Sequence, residues 1–475
     1  MANNGTSSLA LRHLLPDRWW ETVAGLKIMT LKRGRSYGTE LSLEPEKLAA
    51  QLDEIVAQGF QAIEIFAPAR GLHAYSGLDT TDFYSIDPEL GTMDDFRRLV
   101  RLAHSRGLAI VIFLNLGYLS VEAPDWIKAC RDQESQQARW FSWADDPEAS
   151  PPGNEDSYFF VNTPPPGDPD DREETSTWGW QYSELAGRYY WARWKATLDS
   201  GCEVGLPQVD WSSEAWPEEA ARIVRFWMDT GIDGMLVDAP LFYTGLTWEK
   251  SRRSITDIIS SYRNTYLQPE GGRGIAWVTE GQYNGLQNYG IRLWGGQWRE
   301  HAIDYALATG DPSPIEEALR NYHDPIEAER AVLYHNVGRR PEDPEQRHLK
   351  IAAIAAAGDV LAYPRAWGDP DDEETRILKL RRAHPALYPL GRRRRLPTNA
   401  DGKYYAFVRT APDDSERILV VLNFSPEAQA VQVDTSGLYA QGFVGLHDGA
   451  FIGFQNPLRV ELGPYGYHFL DIIRA

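Results

Sequence analysis

The chain has 475 residues, 43% hydrophobic and 12% aromatic, enough for two or three packed domains rather than one small core. A formal charge of −20 leaves no basic face for a phosphate backbone, which excludes nucleic acid as a partner. Two cysteines, Cys130 and Cys202, are too few for a disulfide framework and leave a single bridge open. The start, Met1 to Ser8, has neither the charged nor the apolar region of a signal peptide. No apolar run reaches membrane-spanning length, so the expectation is a cytoplasmic protein with no membrane partner. The sequence leaves the oligomeric state open.

Gly25–Leu31 reads as a first strand. Glu44–Gly59 reads as a helix with Leu48, Leu52, Ile55 and Val56 at helical spacing, and Gln61–Ala67 as a second strand. Tyr75–Thr92 is a turn-rich connection. Thr92 and Asp95 predict the cap of a helix running to about Arg106, with Asp standing where Glu or Gln is preferred. Gly107–Leu116 has the continuous apolar run of a strand buried on both faces. The alternation then stops. Residues 119–205 read as irregular, with a centre rich in Pro, Gly and acid, which predicts an inserted lobe or an active-site covering. This stretch holds Trp126, Trp140, Trp143, Trp178, Trp180, Trp191 and Trp194 of the 17 tryptophans. Flat amphipathic rings suit sugar faces, yet most of these are expected to form the lobe's own small core.

Alternation resumes with a helix over Pro217–Thr230. The stretch Gly231–Pro240 then runs apolar up to one carboxylate, Asp238. A helix over Glu249–Tyr266 and a strand over Gly274–Glu280 repeat the pattern, the second strand ending on Glu280. In a barrel of alternating strands and helices, chemistry sits where strands end. Two carboxylates at the ends of successive strands suit the breaking of a glycosidic bond: one attacks or stabilises the sugar cation and the other moves the proton. Each acid could instead merely cap a strand-to-helix turn. Further on, Ser313–Tyr322, His348–Ala357 and Glu373–His384 read as helices, and Ala331–Asn336 and Asp359–Pro364 as strands. From residue 391 short β runs split by turn residues predict an antiparallel sandwich. The Arg392–Arg395 run at this junction is expected to be an interdomain or solvated patch.

Three stretches resemble the α-amylase family, glycoside hydrolase family 13. Leu78–Phe96, followed by His104 to Leu108, looks like the connection between that family's second and third strands. Asp210-Trp211 with Arg225–Gly234 looks like the lead to its nucleophile strand, and Leu419–Pro426 like its C-terminal domain. The resemblance implies a (β/α)8 TIM barrel with a lobe inserted after the third strand and a C-terminal antiparallel β-sandwich. It implies a barrel from 1–118 and 206–390, a lobe over 119–205 and a sandwich over 391–475. Residue by residue, it puts the catalytic nucleophile on Asp238 and the general acid/base on Glu280. Substrate-binding roles fall on Tyr75, Tyr118, His335, Asn336 and Arg339. Tyr322-His323-Asp324 is similar to the motif around His335 but closes a helix, so it is set aside.

The chain also departs from the family. Asn336 stands for the third carboxylate, and Leu236 for the arginine two residues before the nucleophile. Phe113, Gly117 and Tyr118 stand for the third strand's Asp, Asn and His, and Leu78 for a stacking tyrosine. No metal ligand and no cofactor are assigned, because the metal-ligating Asn is missing. Phe113 and Leu236 form one matched loss, an ion pair exchanged for two apolar groups of comparable bulk, which can be neutral for stability. An arginine beside a carboxylate depresses its pKa by roughly 1–3 units, so its absence affects Asp238 as a nucleophile. The expected function is a retaining glycoside hydrolase or transglycosidase on an α-linked oligosaccharide or glycoside, with non-standard recognition of the reacting sugar. The alternatives are a catalytically silent saccharide-binding or assembly subunit, and a different reaction in the same cleft.

Overall fold

The structure, a computed structural model, describes residues 19–32, 38–72, 77–149, 152, 179–237, 276–279, 290–292, 294–320, 331–335 and 340–475. The chain divides into two compact units. One includes Ile28–Leu52 and Glu64–Leu286; the other includes Arg18–Lys27, Asp53–Ile63 and Gln287–Ala475. Along the chain run strands β1 (Gly25–Thr30), β2 (Ala62–Phe66), β3 (Ala109–Leu114), β4 (Gly234–Val237), β5 (Ala276–Thr279), β6 (Gly290–Arg292), β7 (Ala331–His335) and β8 (Val360–Tyr363). The helices between and after them are α1 (Pro45–Ala57), α2 (Met93–His104), α3 (Ala215–Met228), α4 (Trp294–Thr309), α5 (Ser313–Arg320), α6 (Pro344–Ala357) and α7 (Asp372–Ala383).

In the first unit β3, β4 and β5 pair in parallel: Gly234–Val237 lie opposite Val111–Leu114 on one side and Ala276–Thr279 on the other. Every residue of β2, β3 and β4 is buried, as the unbroken apolar run of β3 requires. The cap of α2 closes in both directions. The Thr92 hydroxyl accepts from the Asp95 N–H at 3.2 Å, and the Asp95 carboxylate accepts from the Thr92 N–H at 2.8 Å. Aspartate therefore does here what Glu does in the usual box. In α3, Trp227 packs edge-on against Phe96 of α2 at 5.3 Å and donates to the Phe83 carbonyl at 2.9 Å.

The inserted lobe is more regular than its composition suggests. Helix Pro124–Arg131 leads to an antiparallel sheet in which Arg188–Thr197 pairs with Trp143–Ala144, Gly179–Ser183 and Glu203–Pro207. The Pro-rich centre that made the stretch read as irregular lies outside the described residues. Trp126 stacks on Trp143 at 5.3 Å with the rings 3° from parallel, and Trp126, Trp140 and Trp191 are buried. These rings form the lobe's core, as expected of most of them; Trp178 is outside the described residues. Both cysteines are free.

In the second unit β6 pairs with β7, β7 with β8, and Leu361–Tyr363 of β8 with Gly25–Lys27 of β1. The last of these strands thus lies beside the first. Strand β6 and helix α4 escaped the sequence reading. Three residues make too short a run to show a period, and α4 opens with Gly295-Gly296, which lowers helix propensity.

The tail holds β9 (Arg392–Leu396), β10 (Tyr404–Thr410), β11 (Arg417–Asn423), β12 (Gln429–Val433), β13 (Ala440–Gly445), β14 (Phe451–Gly453), β15 (Leu458–Leu462) and β16 (Tyr467–Arg474). A six-stranded sheet in the order β9-β10-β11-β16-β13-β14 is joined by the pair β12-β15. Leu419, Val421, Val431, Val460 and Phe443 belong to their common core. The arginine run is the edge strand β9. Arg393 pairs with Glu316 of α5 at 2.7 Å, and Arg395 lies over the Tyr405 ring at 4.1 Å. It links the tail to a barrel helix, as expected of an interdomain patch.

Candidate active site

Asp238 is the residue that follows β4 in the chain, and Glu280 the one that follows β5. Both lie outside the described residues, as do Tyr75, Asn336 and Arg339. His335 ends β7, with its backbone described and its side chain not. Tyr118 is described in full. The site is therefore built from the strands that carry its residues and from the ends of β2, β3 and β4.

The register of β4 is set by Asp233, buried one residue before the strand. Its carboxylate accepts from the Ile110 N–H at 2.8 Å and lies 2.6 Å from His104 Nε2, while its own N–H donates to the Ile110 carbonyl at 2.8 Å. One side chain thus ties together the end of α2, the start of β3 and the start of β4. A slip of one residue would turn every side chain of β4 to the opposite face, so this lock matters. With the register so fixed, Leu236 lies opposite Phe113 and Val237 opposite Leu114. On the far side Val237 lies opposite Thr279, the last residue of β5.

Phe113 and Leu236, matched in the sequence reading, are thus neighbours across two strands. Phe66 at the end of β2 joins them, its ring 4.7 Å from that of Phe113 and tilted by 37°. Leu236 is fully buried, and Phe66 and Phe113 keep 6% and 8% of their surface exposed. Directly after Phe66, Ala67 sits at φ 44°, a left-handed conformation that costs a residue with a Cβ roughly 1–2 kcal/mol. Such strain persists only where the surroundings impose it, and it commonly marks functional positions.

The segment after β3 is held from several sides. The Asn115 amide donates to the carbonyls of Leu78 at 2.9 Å and Tyr118 at 2.8 Å, and its oxygen accepts from the Gly117 N–H at 2.7 Å. Two buried indoles, Trp211 and Trp216, both donate to the Leu116 carbonyl, at 3.1 and 3.2 Å. Val209 N–H donates to the Gly117 carbonyl at 2.9 Å, and Tyr118 bridges to Gln208. Tyr118 is buried, with its ring 6.4 Å from that of Trp194 on the lobe's central strand. Deeper in the lobe, burial, with Cys130 alongside, pushes the Tyr190 phenol up to about 12, so it remains a neutral donor to the Gly205 carbonyl.

Gly117, at the place of the family's metal-ligating Asn, brings no side-chain oxygen. Among the described residues no group of three or more His, Cys, Asp or Glu could hold a metal ion, and no helix is long and apolar enough to cross a membrane. Sequence reasoning missed Phe66, Asn115 and Trp216. Phe66 ends an apolar run and looks like any core residue, and an amide that ties a loop has no spacing signature.

A family model of the alpha amylase catalytic domain matches residues 48–265, and one of the maltogenic amylase C-terminal domain matches residues 395–468. The chain is 27% identical over 231 residues to an alpha-glucosidase of Schizosaccharomyces pombe, covering 47% of this chain and 35% of that protein. It is 30% identical over 170 residues to a trehalose synthase of Thermus thermophilus, covering 35% of this chain and 15% of that protein. The matched part is thus about a third or less of the length of these relatives. Among solved structures, the isomaltulose synthase from Erwinia rhapontici NX5 superposes with a TM-score of 0.69 over 97% of this chain and 100% of that one, at 15% identity. At that identity the likeness establishes the fold: the barrel, its lobe after the third strand and the β-sandwich tail.

Proposed function

Because the chain belongs to the α-amylase family of glycoside hydrolases, we propose that it is a retaining glycoside hydrolase or transglycosidase acting on an α-linked saccharide. Asp238 is the nucleophile and Glu280 the general acid/base. One observation carries this reading: Val237 and Thr279, the residues just before the two acids, are register partners on adjacent parallel strands. Adjacent strands lie about 4.8 Å apart. A retaining mechanism needs its two carboxyl groups roughly 5–5.5 Å apart. The register of these two strands, each followed in the chain by one of the acids, supports that pairing.

In the first step the Asp238 carboxylate attacks the anomeric carbon while Glu280 gives its proton to the departing glycosidic oxygen. In the second, Glu280 takes a proton from water or a sugar hydroxyl, whose oxygen displaces Asp238 at the same carbon. Two inversions return the starting configuration. Tyr75, Tyr118, His335, Asn336 and Arg339 bind substrate. Recognition of the reacting sugar is non-standard, because Phe113 and Leu236 put an apolar contact where the family has an ion pair.

That same contact supports the second reading, a silent barrel serving as a saccharide-binding or assembly subunit, since Leu236 stands where the family places the arginine that assists its nucleophile. Intact mass after incubation with 2-fluoro and epoxide sugars of several configurations separates the two. The expected result is a stoichiometric adduct on Asp238, absent in Asp238→Ala. Saccharide binding without an adduct, and insensitive to Glu280→Gln, overturns the enzymatic reading.

A further inference from the structure

We propose that Phe66, Phe113 and Leu236 make the site selective for a reacting sugar that turns a deoxygenated edge, a methyl or methylene group, toward the ends of β2, β3 and β4. This rests on the glycosidase reading above and names its substrate class.

The three side chains come from three strands and meet by construction. Phe113 touches Phe66 ring to ring at 4.7 Å and lies opposite Leu236 in the strand register. Side chains alternate along a strand, so residues two apart share a face. On the face of Phe113, exposure rises from none at Val111 to 8% at Phe113; on the face of Phe66 it rises from 1% at Glu64 to 6% at Phe66. The rings therefore form the last layer before the strand ends, where a barrel opens to its ligand. Leu236 is fully buried, so the accessible part of this layer is the small fraction of surface that Phe66 and Phe113 keep. Asp238 is two residues beyond Leu236 in the chain.

A carbon ring edge or an aliphatic side chain neither donates nor accepts a hydrogen bond. A sugar hydroxyl pressed against this wall loses its water and gains no partner there. A methyl or methylene group at the same place is desolvated at no such cost and gains contact with two rings and a leucine. Among the described residues, three polar side chains around the segment after β3 are committed elsewhere. The Asn115 amide bonds the carbonyls of Leu78 and Tyr118, and the Trp211 and Trp216 indoles bond the Leu116 carbonyl. Apolar pockets reject an added hydroxyl only moderately, so the expected preference is about 10–100-fold rather than absolute.

The test compares kcat/KM for a 4-nitrophenyl α-glycoside with its 2-, 3-, 4- and 6-deoxy analogues. Each value is divided by the spontaneous hydrolysis rate of that compound, because deoxygenation alone labilises the bond. One analogue is expected to exceed the parent by about 10–100-fold. Phe66→Tyr, which adds only a hydroxyl to the wall, should shrink that preference several-fold; Phe113→Asn should abolish it if the variant folds. A parent glycoside that outperforms all four analogues overturns the proposal while leaving the glycosidase reading intact. If no glycoside is turned over and no probe labels Asp238, the glycosidase reading fails on its own. Saturation-transfer affinities of the free sugars and their deoxy forms then decide the wall's preference, equal or weaker binding of every deoxy form counting against it.

Discussion

Leu236→Arg, alone and combined with Phe113→Asp, asks whether the apolar contact at the ends of β3 and β4 is one unit. Leu236 is fully buried and Phe113 is 8% exposed, and the two are register partners. Leu236→Arg alone buries a guanidinium facing a phenyl ring, and an uncompensated buried charge costs about 3–5 kcal/mol. For a unit of this size about 1 kcal/mol moves Tm by roughly 2–4 °C, so the expected loss is on the order of 10 °C. Phe113→Asp alone loses a buried ring, about 3–5 kcal/mol, and adds a carboxyl with no cation beside it. In the double variant the charges sit on adjacent strands. A pair at about 4 Å attracts by roughly 4 kcal/mol at the effective dielectric of such sites. Part of this is spent on desolvation, leaving a coupling of about 3 kcal/mol, the upper end for contacting residues. Calorimetric scans of the four proteins should place the double variant roughly 6–12 °C above the sum of the single losses. Additivity to within about 0.5 kcal/mol would mean that the two positions do not face one another as a pair, and would refute the reasoning.

Asn115→Leu removes three hydrogen bonds and leaves the Leu78 and Tyr118 carbonyls and the Gly117 N–H without that partner. Tm should fall by the equivalent of about 3–5 kcal/mol, and Asn115→Asp, which keeps the acceptor but sets a carboxylate oxygen against the two carbonyls, should fall at least as far. Asp233→Leu strips an acceptor from the buried Ile110 N–H and from His104, at a cost of about 3 kcal/mol in a denaturation curve, with no loss expected from a surface control such as Asp229→Asn. Asp371, the N-cap of α7, governs an acid-side effect. Burial works against its charge, yet the Glu374 N–H, His348 and Arg347 hold its carboxyl down at about 2, below its ordinary 3.8. A depressed carboxyl stabilises fully above its unfolded value and loses that contribution as pH falls through the folded one. Tm should therefore decline from about pH 4 toward pH 2, and Asp371→Asn, which keeps the cap but does not titrate, should flatten that slope.

The sequence by itself determined the alternation of strands and helices, the break after the third strand and the β-rich tail. Those features rest on local periodicity, and a strand covered on both faces must read as an apolar run. It also singled out Asp238 and Glu280, because a lone acid at the end of such a run stands out against its neighbours. It even paired Phe113 with Leu236, since two departures from one family pattern matched in chemistry. Composition misled in the lobe, where proline and acid in its centre hid the sheet around Arg188–Thr197. Only the tertiary structure decided that Val237 faces Thr279 and that Leu236 faces Phe113. It also brought Phe66 to complete the wall, and committed the Asn115 amide to two carbonyls and an N–H. Register is a long-range property. The Asp233 carboxylate that sets it reaches His104 and Ile110, more than a hundred residues away in the chain. Nothing in the local spacing of Asp233 records that contact, because the free energy that fixes it comes from burying three separate segments together.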